Sequence, residues 1–127
     1  MSELIREPVV SGMFYPAGRD NLSKMIATLL TQAEPQKRED KELFGLISPH
    51  AGYIYSGPVA AHVYSKIKKK NYIILGPNHS PSGEKYSIMK SGEWKTPLGG
   101  VKINEKISKE LMKCPLLKNN PYSHESE

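Results

Sequence analysis

Cysteine is nearly absent from this chain, and Trp and Phe are few: one Cys, one Trp and two Phe, beside seven Tyr, among 127 residues. A lone Cys114 excludes an internal disulfide framework and fits a reducing compartment, so the expected location is the cytoplasm. No run approaches the ~20 apolar residues of a membrane-spanning helix, and the start, Met1-Ser2-Glu3-Leu4-Ile5-Arg6, lacks the apolar centre of a secretory signal. No repeat or low-complexity stretch occurs. A strong charge of one sign is missing too, because 18 Lys and Arg face 13 Asp and Glu. Much of that excess is Lys66, Lys68, Lys69 and Lys70, and no aromatic residue interleaves with them before Tyr72. Cations complementing the carboxyl end of a helix macrodipole account for this cluster better than a nucleic-acid surface does. The composition leaves a non-membrane protein with no nucleic-acid partner.

Two histidines, each just past an apolar run, are the main feature present. Leu43-Phe44-Gly45-Leu46-Ile47 leads into Ser48-Pro49-His50-Ala51-Gly52-Tyr53, and Tyr72-Ile73-Ile74-Leu75 leads into Gly76-Pro77-Asn78-His79-Ser80. Neither run alternates with polar residues, as expected of strands covered on both faces. The stretch from Pro58 to Lys69 reads as a helix between them, with Pro58 in its first turn and Ser56 or Gly57 as its cap. Strand, helix and strand make a right-handed crossover, which renders the strands parallel and brings both carboxyl ends to one sheet edge. That edge is where open α/β sheets hold ligands, so His50 and His79 are expected to share a crevice.

Other segments extend the same α/β expectation. Arg6 to Pro16 mixes apolar and turn residues and is expected to cross the sheet edge. Asp20 or Asn21 caps a helix with Leu22, Met25, Ile26, Leu29 and Leu30 on one face. Glu34 to Glu42 reads as an exposed connector within one domain. In the crossover helix Val59, Val63 and Ile67, beside Ala60 and Tyr64, form the packing face, and His62 faces solvent. Tyr86 to Lys90 reads as a short strand, Ser91 to Gly100 as turn-rich, and Val101-Lys102-Ile103 as a returning strand. Asn104 then caps a helix carrying Ile107, Leu111 and Met112. The chain stops in a polar run, Pro121 to Glu127, with no closing element. Residues 1–127 are therefore expected to be the amino-terminal part of a single α/β domain whose mostly parallel central sheet has helices on both faces.

Neutral imidazoles on strand ends suit iron, copper or zinc, because the sheet holds their backbones in place. Catalytic zinc usually takes three protein ligands, and oxygen-activating iron commonly takes two histidines plus one anionic residue. The candidates for a third ligand are Glu84, Glu125, Glu127 and Cys114, none of which follows a clear strand. Cys114, before Pro115, reads instead as a small buried hydrophobe. Hydrogen bonding to backbone carbonyls is the plainer account of any one loop histidine, but two in equivalent positions favour a site. Tyr53 and Tyr55 are candidate substrate-binding hydroxyls, with packing onto the following helix as the alternative.

Four segments stand in order along the chain: REPVVSGMFYP (Arg6 to Pro16), SPHAGYIYSGPVAA (Ser48 to Ala61), ILGPNHS (Ile74 to Ser80) and WKTPLG (Trp94 to Gly99). Together they resemble the Memo family, which includes the B component of a system grouping a Memo protein with an AMMECR1-like protein and a radical-SAM protein. PHAGYIYSGPVAA is long and unusual, so the resemblance is specific. It implies a fold similar to class III extradiol dioxygenases, and it implies that His50 and His79 correspond to the family's two metal-ligating histidines. By the same resemblance the third ligand is a cysteine far nearer the carboxyl end of a much longer protein, which Cys114 matches neither in position nor in context. The family's next motif, a Glu-His-Ser segment introducing a strand, is met here only as far as the glutamate of His124-Glu125-Ser126-Glu127.

The leading expectation is a Memo-like metalloprotein that holds iron or copper and supports a redox or dioxygenase-like reaction. Its AMMECR1-like and radical-SAM companions are the expected partner proteins. An alternative from the same resemblance is a signalling adaptor that binds phosphorylated peptides in the cleft without catalysis. A metal-dependent hydrolase ranks last, because no general base stands beside the two histidines.

Overall fold

The computed structural model describes residues 4–33, 43–68, 71–79 and 83–125. In chain order the elements are β1 (Ile5–Arg6), α1 (Arg19–Gln32), α2 (Tyr53–Tyr64), β2 (Ser87–Ile88), β3 (Glu93–Thr96), β4 (Gly99–Lys102), α3 (Glu105–Leu111), β5 (Lys118–Asn119) and a 3₁₀ turn over Pro121–His124. The class is α/β, as expected. Two compact units divide the chain, one formed by residues 1–10 and 71–127, the other by Ser11–Lys70.

In the Ser11–Lys70 unit, α1 packs against α2. Leu22, Met25, Ile26, Leu29 and Ala33 form the less exposed stripe of α1, at the spacing that places side chains on one helical face. Leu30, expected in that stripe, is exposed at its margin. The cap also differs from expectation. Gly18 is the N-cap and no side chain bonds there, while Asp20 lies in the first turn, where its charge complements the helix dipole.

The second helix starts five residues earlier than Pro58 suggests, and Pro58 lies inside it. Gly52, extended at φ −52° and ψ 146°, is the cap. The Tyr53 N–H donates to the Phe14 carbonyl at 2.8 Å, and those of Tyr55 and Ser56 donate to the Gly52 carbonyl at 2.9 and 3.0 Å. Orphan donors of the first turn are thereby satisfied ahead of the proline. Pro58 removes the donor that would reach the Ile54 carbonyl, and Ile54 is 70% exposed, so water reaches that residue. Ser56, expected as a cap, instead sits one turn inside and donates its Oγ to the Ala51 carbonyl at 2.8 Å.

The packing face of α2 is only in part the expected one. Ser56, Gly57 and Ala61 are buried, Ala60, Val63 and Ile67 are intermediate, and Val59 and Tyr64 are exposed. Small residues let the helices approach closely: a Cβ on Gly57 would stand 2.8 Å from the Leu29 Cδ1. Val59 turns outward because α2 is apolar around most of its circumference, and periodicity then does not choose a face. His62, expected to face solvent, has intermediate exposure. Lys66 and Lys68 lie beyond the end of α2 at Tyr64, outside its last turn. The Glu34 to Glu42 connector, Lys69 and Lys70 lie outside the described residues.

The other unit holds two sheets. The three-stranded sheet has the order β1-β3-β4, with β1 parallel and β4 antiparallel to the central β3. The second pairs β2 with β5 in parallel. Ser91 to Gly100, read as turn-rich, contains β3 and the Pro97-Leu98 hairpin loop. That hairpin is closed by Thr96, whose Oγ1 donates to the Gly99 carbonyl at 2.9 Å and accepts from the Leu98 N–H at 3.1 Å. Gly92 takes φ +110° directly before β3, and a Cβ there would collide with the Leu4 carbonyl, so glycine lets β1 and β3 meet. The expected strands at Tyr86 to Lys90 and Val101 to Ile103 are present as β2 and β4. Asn104 caps α3 as expected, its side chain accepting from the Ile107 N–H at 3.2 Å. Met89 and Ser123 are buried here, and the Ser87 Oγ donates to the Ser123 Oγ at 2.9 Å.

The two apolar runs expected to be central parallel strands form no strand among the described residues. Phe44 and Ile47 are each 94% exposed and Leu75 is 92% exposed. A strand apolar on both faces requires ladder neighbours and covering layers, and the described elements provide neither to these runs.

The close α1 and α2 contact predicts that Gly57→Leu destabilises the chain by about 1–3 kcal/mol through overpacking against Leu29. Urea denaturation followed by helical circular dichroism measures it, and an unchanged midpoint would contradict the packing described.

Candidate functional site

His50 lies in the exposed loop that leads into α2. The end of that loop is held by Phe14. Gly52 lies against Phe14, where a Cβ would stand 3.4 Å from the Phe14 carbonyl oxygen and 3.5 Å from its ring. The same carbonyl accepts the Tyr53 N–H. Phe14 in turn belongs to a tight turn in which the Gly12 N–H donates to the Tyr15 carbonyl at 2.8 Å, with Gly12 at φ +84°. Position +84° is comfortable only without a Cβ. The FYP segment therefore serves as the seat of the histidine loop.

Tyr53, a candidate substrate-binding residue, is half-buried and stacks at a tilt on Tyr15, with ring centroids 5.5 Å apart and planes at 48°. Burial raises its phenol above the ordinary 10.0, and the neighbouring Tyr15 and Tyr64 hydroxyls add to the shift. Packing thus accounts for much of the Tyr53 ring. Tyr55, two residues on, is 80% exposed.

His79 is an exposed residue of the other unit, at the end of the described stretch 71–79. The two histidines therefore belong to different units. Among the described residues no three His, Cys, Asp or Glu side chains come together as a group able to hold a metal ion. The described residues do not by themselves make a three-ligand centre. Of the third-ligand candidates, Glu84 and Glu125 are exposed, and Glu127 lies outside the described residues. Cys114 is exposed and not the buried hydrophobe expected of it, because the short α3 ends at Leu111, three residues before it.

One cluster escapes a reading by strand ends. Arg6 of β1 lies over the ring of Trp94 in β3, its guanidinium carbon 4.3 Å from the ring centroid, a cation–π contact. The Arg6 Nε donates to the His124 carbonyl at 3.0 Å, and the His124 imidazole tilts against Trp94 with centroids 5.9 Å apart. The Trp94 indole N–H points to the Met89 sulfur at 3.3 Å. His124, in a polar run with no periodic signal, is thus fixed against the three-stranded sheet. The available signal was composition: the chain's one tryptophan sits next to charged residues in a segment otherwise rich in turns.

The Memo-like protein family model matches residues 6–127. A MEMO1 family protein of Caldivirga maquilingensis is 41% identical over 96% of this chain and 47% of its own length. Another from Methanococcus vannielii is 43% identical over 98% of this chain and 48% of its own. One from Methanococcus maripaludis is 45% identical over 94% of this chain and 46% of its own. The chain belongs to the Memo family, and it spans about half the length of the curated relatives it matches. No helix among the described residues is long and apolar enough to cross a membrane.

The Tyr53 environment predicts an alkaline effect of defined sign. The folded chain holds the phenol proton more tightly than the unfolded chain, so this group adds no pH dependence below pH 10.0. Stability falls as pH rises from there through the folded value, since the unfolded state ionises first. Urea midpoints measured at about pH 9 and 11 should fall less in Tyr53→Phe than in the parent. Equal losses in the two proteins would contradict the assignment.

Proposed function

We propose that this chain contributes His50 and His79 to a metal-binding cleft of a Memo-family protein, with iron or copper as the ion and a fold akin to class III extradiol dioxygenases in the complete domain. The observation that carries the reading is the His50 loop, an exposed histidine two residues ahead of Gly52, which with Tyr53 is held against Phe14 at the start of α2. A ligand loop needs this combination, since an imidazole open to a ligand must still be held in place by its backbone. Family membership supports the pairing with His79.

Two imidazoles leave a first-row ion mostly to water. The proposed third ligand comes from the part of the family's length that this chain does not match, and no catalytic step is assigned to the 127 residues alone. In the complete protein the ion would supply Lewis-acid or redox chemistry to a small substrate. In such a site Tyr55, with the more exposed hydroxyl-bearing residue, is better disposed than Tyr53 to meet that substrate. AMMECR1-like and radical-SAM proteins are the proposed companions and the cytoplasm the proposed location.

Elemental analysis tests the reading. A chain of family length should retain iron or copper through desalting, and His50→Ala or His79→Ala should each weaken retention at least about tenfold. The 127-residue chain should retain little. Equal metal content in parent and variants would refute the proposal and favour an adaptor that binds phosphorylated peptides without metal.

A further inference from the structure

Seven tyrosines are present, and two of them are placed unlike the rest. Tyr55, Tyr64, Tyr72, Tyr86 and Tyr122 are exposed, whereas Tyr15 and Tyr53 are only partly so. Their rings meet at a tilt, with centroids 5.5 Å apart, inside the range of a direct aromatic contact. Both backbones are pinned. The Tyr15 carbonyl accepts the Gly12 N–H at 2.8 Å, and the Tyr53 N–H donates at 2.8 Å to the carbonyl of Phe14, the neighbour of Tyr15. The Tyr15 hydroxyl is close enough to act on the Tyr53 phenol, ahead of the Tyr64 hydroxyl in effect. The hydroxyl ends of the two rings, and with them the carbons flanking each hydroxyl, are thus gathered at the contact.

We propose that Tyr15 and Tyr53 form an intramolecular cross-linking site, at which a small one-electron oxidant of the kind derived from peroxides joins the two rings as dityrosine. Two equivalents of oxidant are consumed. Each takes one electron from one phenol, whose proton passes to water, and each phenoxyl ring then carries unpaired density at the carbons ortho to oxygen. One ortho carbon of each ring forms the new C–C bond. The hydrogens on those two carbons move to the ring oxygens as aromaticity returns, so the product has lost two hydrogens and nothing else. The fold favours this pair, because a held contact replaces an encounter between chains. Tyr55 and Tyr122, the most exposed tyrosines, have no such advantage. Tyr55 lies two positions along α2 from Tyr53, where side chains of one helix do not face each other. The cross-link makes covalent the seat on which the His50 loop rests, fastening the turn over residues 12–15 to the start of α2. The proposal rests on packing within the Ser11–Lys70 unit and is independent of metal binding.

The test exposes the dilute 127-residue chain to azide radicals, each of which accepts one electron and becomes azide. Mass spectrometry should find a monomer lighter by two hydrogens, with dityrosine joining the peptides that contain Tyr15 and Tyr53. The yield per chain should not change with dilution, and it should collapse in urea, which separates the two residues. Tyr15→Phe should lower the yield at least about tenfold. Tyr53→3,5-difluorotyrosine keeps the ring and its hydroxyl while blocking both ortho carbons, so it should abolish the product without repacking α2. In the purified cross-linked chain, exchange of the Tyr53 amide should slow at least about tenfold. Coupling of Tyr53 to Tyr64, dityrosine only between chains, or no dityrosine while Tyr55 is oxidised would each overturn the proposal. So would a yield equal in urea and in buffer, or a cross-linked chain whose Tyr53 amide exchanges as before.

Discussion

The approach of Gly52 to the Phe14 backbone is the contact on which the histidine loop depends. A Cβ at Gly52 would press on the Phe14 carbonyl and ring, and the carbonyl must stay within reach of the Tyr53 N–H. One acceptor from a distant turn therefore satisfies the first donor of α2. From this the rest of the unit follows: α2 begins at Tyr53, Ser56 turns back to the Ala51 carbonyl, Gly57 meets Leu29, and His50 is left two residues ahead of the cap on exposed backbone. The FYP and HAGY segments are far apart in sequence and form one structural seat.

Strict local patterns were legible in the sequence. The stripe from Leu22 to Leu29 announces α1 because its outward residues are polar, and Asn104 announces α3 because an amide side chain at a helix start can take the Ile107 N–H. The start of α2 was not legible. Pro58 is a strong local signal for a first turn, yet the nonlocal bond from Tyr53 to Phe14 settles the helix end earlier. Its packing face was hidden for a related reason: with Ile54, Val59, Ala60, Ala61 and Val63 spread around the helix, close approach to Leu29 selects Gly57, and no periodicity records that choice.

The strand readings divide by how much each segment needs from its neighbours. β3 and β4 form a hairpin whose turn, Thr96 to Gly99, is local, and they are present although Gly99 and Gly100 lower the strand signal. Leu43–Ile47 and Tyr72–Leu75 have the stronger apolar composition and form no ladder. Composition reports that a segment is suited to a covered inner position, and the cover itself is a separate structural element. Of the candidate residues, His50 and Tyr53 were singled out from their motif. The Arg6, Trp94 and His124 cluster was not legible, because Arg6 meets Trp94 through the parallel pairing of β1 with β3 and His124 reaches them from the 3₁₀ turn.

The proposed site uses the two histidines as a shared anchor for one ion. A crystal structure of a family-length chain grown with iron or copper, with anomalous differences recorded at that metal's absorption edge, tests this most directly. The account predicts a single anomalous peak at about 2.0–2.2 Å from an imidazole nitrogen of His50 and the same from His79. A peak ligated by other residues, or separate ions on the two histidines, would contradict it.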